Sequence, residues 1–217
     1  MLYSAIFFDL DGTLTDPQPG ITRCFQYALS ELGYSPPDAD ELHWCIGPPI
    51  QDSFSQLLKT GDDAVLQQAI SLYRSRFATI GLFENSLYCQ IPETLKTLRL
   101  AGYQTFVATS KPYIYATRII EHFGLSSLFD GIYGSELDGR RSLKGELIQH
   151  ILVKENFSPS DVVMVGDRQH DIIGAKQNQV TAIGVTYGYG TQAELQAHGA
   201  DLLAHSPDEI AKLLVHS

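Results

Sequence analysis

Two carboxylates separated by one residue, Asp9 and Asp11, directly follow an apolar run near the start of the chain. The run, Ala5-Ile6-Phe7-Phe8, has the composition of a strand buried in a parallel sheet. Side chains two positions apart in a strand share a side, so both carboxylates are predicted to enter one site. Two like charges this close repel each other unless a cation or a shared proton relieves them. The pair therefore indicates metal binding or proton transfer.

Polar residues also follow three later segments with strand composition. They are Thr109 and Ser110 after residues 105–108, Lys144 after residues 132–133 and the following loop, and the segment Gly166-Asp167-Arg168-Gln169-His170-Asp171 after residues 162–165. The carboxyl ends of parallel strands lie along one edge of a sheet, where such folds bind ligands. We therefore expect these groups to converge with Asp9 and Asp11.

The chemistry of this set suits phosphoryl transfer. Asp9, Asp11 and Asp167 offer the hard oxygen ligands that Mg²⁺ prefers, beside waters and substrate phosphate. One carboxylate can attack phosphorus, while another protonates the leaving oxygen and later deprotonates water. Hydrogen-bond donors would hold the phosphoryl oxygens as charge develops. The expected donors are Thr109 or Ser110, Lys144 and the backbone N–H groups around Asp11 and Gly12.

Several of these residues have an alternative interpretation. Thr109 and Ser110 compete for one role, and either also suits capping of a helix over residues 113–123. Lys111 is the alternative to Lys144, which is preferred because it stands just before a helix predicted over residues 145–155. Asp171 is alternatively a cap for a helix that begins near Ile172.

The composition is that of a globular enzyme. The chain has 217 residues, of which 44% are hydrophobic and 18% charged, and this is enough to bury a core. A net charge of −10 argues against nucleic acid and against an anionic membrane surface. We see no signal peptide or membrane span, and the three cysteines show no disulfide framework or zinc spacing. We expect a cytoplasmic monomer or homodimer that binds a small molecule.

Helix and strand patterns divide the chain into two parts. Residues 16–88 show only helical periodicity, over about 21–32, after residues 47–49 and after a predicted N-cap at Asp62. The segment Pro17-Gln18-Pro19-Gly20 is predicted to break the chain before them. From Ile91 onward strands and helices alternate, which predicts a parallel sheet. We predict a Rossmann-like α/β domain of residues 1–15 and 89–217, interrupted by an all-helical domain of residues 16–88.

The polar motifs resemble the four signature motifs of the haloacid dehalogenase (HAD) superfamily and occur in the same order. They are Asp9-Leu10-Asp11-Gly12-Thr13-Leu14, Thr109, Lys144 and the segment 166–171. The resemblance implies a HAD core in which the helical insert is a cap that selects the substrate. It also implies a phosphatase that uses Mg²⁺ and forms an aspartyl-phosphate intermediate.

The resemblance further implies a role for each site residue. Asp9 would be the nucleophile and Asp11 the general acid and base. Thr109 and Lys144 would bind the phosphoryl group, with Lys144 also steadying Asp9. The implied Mg²⁺ ligands are the Asp9 side chain, the Asp11 main-chain carbonyl and Asp167. Asp171 would lie close to these ligands and support them.

Within the superfamily, the chain resembles the phosphoglycolate phosphatases and the bacterial HAD-like 5′-nucleotidases. Simple dehalogenases lack the second aspartate of the first motif, which is Asp11 in this chain. Mutases similar to β-phosphoglucomutase usually have valine where Thr13 stands, and a phosphate-binding arginine near the place of Ile50. We therefore predict hydrolysis of a small phosphorylated metabolite. A phosphomutase is the alternative, and a receiver-type signalling phosphoacceptor is an alternative of a different class.

Overall fold

The computed structural model describes residues 3–215. The chain divides into two compact units, which we call the core unit (residues 1–16 and 87–217) and the insert (residues 17–86). The insert begins one residue later and ends two residues earlier than the helical domain predicted from the sequence.

Eight strands are formed in the described residues. In chain order they are β1 (Ala5–Phe8), β2 (Thr15–Asp16), β3 (Ser86–Leu87), β4 (Gln104–Pro112), β5 (Gly131–Ser135), β6 (Val162–Gly166), β7 (Thr181–Val185) and β8 (Leu202–Ala204). Six of them form one parallel sheet in the order β5-β4-β1-β6-β7-β8. The short strands β2 and β3 pair with each other in a second sheet.

Helices α1 (Gln18–Glu31), α2 (Ile50–Leu58) and α3 (Asp63–Phe77) belong to the insert. Those of the core unit are α4 (Ile91–Leu100), α5 (Tyr113–His122), α6 (Lys144–Glu155), α7 (Gln169–Gln177), α8 (Gln192–Ala197) and α9 (Pro207–Val215). Short 3₁₀ helices cover Ala39–Cys45, Gly81–Phe83, Ser126–Leu128 and Pro159–Asp161. Within residues 3–215, no helix combines the length and the apolar character that spanning a bilayer requires.

Strand β1 lies at the centre of the large sheet, between β4 and β6. All four of its residues are completely buried, which explains its uniformly apolar sequence. Phe7 packs edge-to-face on Phe106 of β4, with ring centroids 5.7 Å apart. The chain adds β4 and β5 on one side of β1 and β6 to β8 on the other, so the strand order reverses at β1. The segments that follow β1, β4 and β6 consequently meet at one edge, as predicted.

The insert has an aromatic core of its own. Phe25 of α1 lies 4.8 Å from Phe54 and 4.9 Å from Tyr73, measured between ring centroids. The Asp62 side chain accepts a hydrogen bond from the N–H of Ala64 at 2.8 Å, which confirms the predicted N-cap of α3.

Several predicted boundaries are wrong. Helix α1 begins at Gln18, because proline is tolerated in the first turn of a helix, so residues 17–20 do not break the chain before it. Strand β4 continues to Pro112, so Thr109 and Ser110 lie within the strand instead of after it. Helix α6 begins with Lys144 itself, and α7 begins at Gln169. The short elements β2, β3, β8 and α8 were not predicted.

Candidate active site

Lys144, at the start of α6, connects two carboxylates that are far apart in the chain. Its Nζ lies 2.8 Å from Asp9 Oδ1 and 2.8 Å from Asp171 Oδ1, and it donates to the Ala108 carbonyl at 2.8 Å. Because an ammonium group has three N–H donors, each donor here has a protein acceptor. Burial opposes the charged form, but the carboxylates of Asp171 and Asp9 raise the pKa of Lys144, so the cation is retained.

Asp11 lies in a tight turn, outside strand β1. The strand ends at Phe8, and the N–H groups of Leu14 and Thr15 both donate to the Leu10 carbonyl. Strand alternation therefore does not explain why Asp11 lies in the same site as Asp9, and that part of the prediction is wrong. The turn is permitted by Gly12, whose φ of +85° is in the left-handed region.

The N–H group of Gly12 is already engaged within this turn. It donates to the Thr15 carbonyl at 2.7 Å. This geometry does not support its predicted role as a donor to a phosphoryl oxygen. Gly12 instead allows close packing, because a Cβ at this position would lie 2.2 Å from Asp167 Oδ2.

The Asp11 carboxylate pairs with Lys111, the residue that sequence reasoning ranked below Lys144. Lys111 Nζ lies 2.7 Å from Asp11 Oδ2. Burial raises the pKa of Asp11, while the ammonium group of Lys111 acts in the opposite direction. The structure thus brings both candidate lysines into the site, each on a different aspartate.

The two hydroxyl candidates differ in their surroundings. Thr109 is buried, and its hydroxyl accepts a hydrogen bond from the N–H of Lys111 at 3.3 Å. Ser110 is half-buried, and its main-chain carbonyl accepts from the Ser135 hydroxyl at 2.8 Å. Of the two side chains, that of Thr109 is the one within the buried site.

Asp167 follows β6 and is fully buried. Its Oδ2 accepts from the N–H of Tyr189 at 2.7 Å, and its Oδ1 from the Thr13 hydroxyl at 3.5 Å. The Tyr187 hydroxyl donates to the Thr13 carbonyl at 2.9 Å. The segment after β7 (residues 186–190) therefore holds both the first motif and Asp167. Sequence reasoning assigned no role to this segment, because its glycines do not form a dinucleotide-binding fingerprint.

Three carboxylates form a cluster suited to a cation. One oxygen each of Asp9, Asp167 and Asp171 lie within 4.8 Å of one another. Burial, then the charges of Asp171 and Asp9, raise the pKa of Asp167 well above its usual range. Burial also raises the pKa of Asp171 to about 6. Asp171 in addition accepts from the N–H of Arg168 at 3.1 Å, so it caps α7 and belongs to the cluster at the same time.

A parallel α/β sheet that gathers buried aspartates and lysines at its switch point is an arrangement suited to phosphoryl transfer. The profile of the haloacid dehalogenase-like hydrolase family matches residues 6–185, and the chain belongs to this family. The predicted family and fold class are confirmed, and the chain is a HAD-type phosphatase.

Individual relatives are similar over nearly the whole chain. A 5′-nucleotidase from Pseudomonas aeruginosa is 48% identical over 196 residues, which cover 90% of this chain and 88% of that protein. The tyrosine-protein kinase PtkA from Mycobacterium tuberculosis is 36% identical over 211 residues, or 96% of this chain and 72% of that one. The crystal structure of a predicted phosphatase from Clostridium acetobutylicum superposes with a TM-score of 0.95 at 40% identity, covering 100% of both chains.

Proposed function

We propose that the protein is an Mg²⁺-dependent phosphomonoester hydrolase that acts on a small phosphorylated metabolite through an aspartyl-phosphate on Asp9. The observation that carries this proposal is the buried cluster of Asp9, Asp167 and Asp171, whose oxygens lie within 4.8 Å of one another. The Lys144 ammonium group contacts two of them, Asp9 and Asp171. When all three carboxylates are ionised, their charge exceeds that of the Lys144 ammonium group that contacts the cluster.

The donor set fits a divalent cation of the Mg²⁺ type. All candidate ligands are hard oxygens, and among residues 3–215 no cysteine or histidine belongs to the cluster. Burial, and then the charges of Asp171 and Asp9, raise the pKa of Asp167, and a bound cation would favour its ionised form. We assign the Asp9 and Asp167 side chains and the Asp11 carbonyl as ligands, with Asp171 in support through Lys144. Bound Mg²⁺ would neutralise charge on the phosphoryl oxygens.

The chain's own residues account for two successive displacements. A carboxylate oxygen of Asp9, oriented by Lys144, attacks phosphorus while Asp11 gives a proton to the leaving oxygen. Asp11 then removes a proton from the water that hydrolyses the aspartyl-phosphate. In this proposal Thr109 donates to a phosphoryl oxygen, and Ser110 is its neighbour in the chain. Lys144 also neutralises negative charge on the phosphoryl oxygens.

The proposed substrate is a small phosphate ester, with the insert as the unit that selects it. The similar protein named 5′-nucleotidase makes a nucleoside 5′-monophosphate the first ester to test. Phosphoglycolate and sugar phosphates complete the panel, because the motifs resemble those of the phosphoglycolate phosphatase branch. The value of kcat/KM for each ester ranks the candidates.

The test is phosphate release from this panel and from p-nitrophenyl phosphate. We expect turnover with Mg²⁺, loss of activity in EDTA, and a decrease of at least about 1,000-fold in Asp9→Asn, since the nucleophile is removed. Full activity of Asp9→Asn would refute the mechanism.

Product analysis separates the other activities. A phosphomutase moves phosphate between positions of a sugar without net release. A receiver is phosphorylated once by acetyl phosphate and does not turn over. Transfer to a protein tyrosine, which the name of the mycobacterial relative suggests for that protein, leaves phosphate on the acceptor. Multiple turnovers to free phosphate support the hydrolase.

A further inference from the structure

The buried ion pair between Lys111 and Asp11 has no role in the reaction as described so far. The two side chains are only 6% and 10% exposed, and their charged atoms are 2.7 Å apart. Burying a lysine and an aspartate together has a desolvation cost that their attraction does not reliably offset. The retention of the pair therefore indicates a function beyond stability.

The backbone is shaped to bring Lys111 to this position. The register between β4 and β5 shifts between Thr109 and Pro112, so the intervening residues form a bulge. Bulges commonly redirect a side chain beside an active site. On the neighbouring strand, a Cβ at Gly134 would lie 2.5 Å from the Lys111 carbonyl oxygen, so glycine there makes room for the bulge.

The two oxygens of Asp11 have different surroundings. Oδ2 is held by Lys111, whereas Oδ1 is buried and has no hydrogen-bond partner within residues 3–215. A buried carboxylate oxygen without a donor is costly, so such atoms are often kept for a ligand or for catalysis. The Lys111 contact thus determines that Oδ1, and not Oδ2, is the Asp11 oxygen available to a substrate.

Lys144 does not contact Asp11 in this way. Its three donors meet Asp9, Asp171 and the Ala108 carbonyl. The two lysines therefore hold different aspartates, Lys144 the predicted nucleophile and Lys111 the predicted acid.

We propose that Lys111 is a positioning residue that holds Asp11 by Oδ2 so that Oδ1 faces the leaving oxygen of the substrate. This inference rests on the proposed phosphatase function. In the acid form of Asp11 the proton is on Oδ1, and Oδ2 accepts from the Lys111 ammonium group. As the bond from Asp9 to phosphorus forms and the bond from phosphorus to the leaving oxygen breaks, that proton moves to the leaving oxygen, and Asp11 becomes the carboxylate that forms the ion pair with Lys111. Lys111 itself exchanges no proton.

The test is the dependence of kcat/KM on the leaving group. This quantity covers the steps up to departure of the alcohol, so hydrolysis of the aspartyl-phosphate does not affect it. Alkyl phosphates need a proton on the leaving oxygen, whereas p-nitrophenolate leaves readily without one. In Lys111→Met we expect kcat/KM to fall about 100-fold for alkyl esters and less than about 5-fold for p-nitrophenyl phosphate, within the usual range for general acid catalysis.

Two further variants and a control complete the experiment. Lys111→Arg keeps the cation and should restore most of the alkyl-ester activity. If Lys111→Met does not fold, Lys111→Gln should give the same split between the two ester classes. Lys176→Met removes an exposed lysine that pairs with Asp201, and it should behave as wild type with both classes.

An equal loss of kcat/KM for all esters overturns the proposal, because Lys111 would then act on the phosphoryl group. A gain for alkyl esters also overturns it, because Lys111 would then only affect the charge of Asp11. Unchanged kinetics overturn it as well. If the wild type hydrolyses no ester, the phosphatase function fails first, and this result is distinct from a failure of Lys111 alone.

Discussion

Asp11, Asp167 and Asp171 share one electrostatic property, a pKa raised chiefly by burial. For Asp171 the pH range over which the shifted pKa affects stability is the best defined of the three. The unfolded chain releases this proton near 3.8, whereas the folded protein retains it until about 6. Because the folded pKa is the higher one, the stabilisation from this group is complete below 3.8 and is lost as the pH rises through about 6.

We therefore predict that in EDTA the unfolding free energy of the wild type falls, relative to that of Asp171→Asn, as the pH rises from about 4 to about 7. Urea unfolding of both proteins at each pH measures the difference. Surface carboxylates titrate equally in the two proteins and cancel. A difference that stays constant with pH would show that Asp171 is ionised in the folded protein throughout this range.

At the scale of single residues, sequence reasoning located the groups that adjoin regular elements. Asp9 and Asp167 each directly follow a buried strand, and the apolar composition of these strands is easy to recognise. Lys111 lies where the register of β4 shifts, and its burial beside Asp11 was not predicted from the sequence. A bulge adds residues without changing the apolar pattern, so no periodicity predicts it.

At the scale of elements, the segment of residues 186–190 supports the acidic cluster by close packing. A Cβ on Gly188 would lie 2.3 Å from the Gly12 carbonyl oxygen and 2.5 Å from Asp167 Oδ2. We predict that Gly188→Ala lowers the unfolding free energy by about 1–3 kcal/mol, the usual cost of overpacking. It should also raise the Mg²⁺ concentration needed for half-maximal activity, because Asp167 is displaced.

Urea unfolding and an Mg²⁺ titration of activity measure the two effects. Gly61→Ala is the matched control, since a Cβ there meets nothing within 4 Å. An unchanged Mg²⁺ requirement in Gly188→Ala would mean that the segment does not position Asp167.

Element length decides which parts of the fold were predictable. A long helix such as α3, with 15 residues, shows enough turns for a periodic pattern, and its N-cap at Asp62 was predicted. Strand β8 has three residues and α8 has six. In segments this short, a periodic pattern of apolar residues cannot be distinguished from chance. Strands β2 and β3 have two residues each and exist only through their mutual pairing.

At the scale of the whole molecule, the acidic cluster joins residues that are far apart in sequence. Asp9 follows β1, whereas Asp167 and Asp171 come after β6. A cation bound only by the folded chain stabilises it by RT ln(1 + [L]/Kd), about 2.7 kcal/mol at one hundred times Kd. We predict that Mg²⁺ raises the Tm of the wild type and that Asp167→Asn removes most of this increase.

Thermal unfolding with and without Mg²⁺ tests this prediction. Asp161→Asn changes an exposed carboxylate near the start of β6, so its Mg²⁺-dependent increase in Tm should equal that of the wild type. A full increase in Asp167→Asn would place the cation elsewhere.

The central position of β1 also constrains how the protein is made. Ala5 pairs with Gln104 on one side and with Val162 on the other, so β1 leaves the ribosome long before either partner. During that interval the nascent chain carries an apolar segment with two open edges, which invites intermolecular pairing. A fragment that ends before Val162 would keep one of these edges permanently open, and it should accumulate as insoluble aggregates or recruit chaperones.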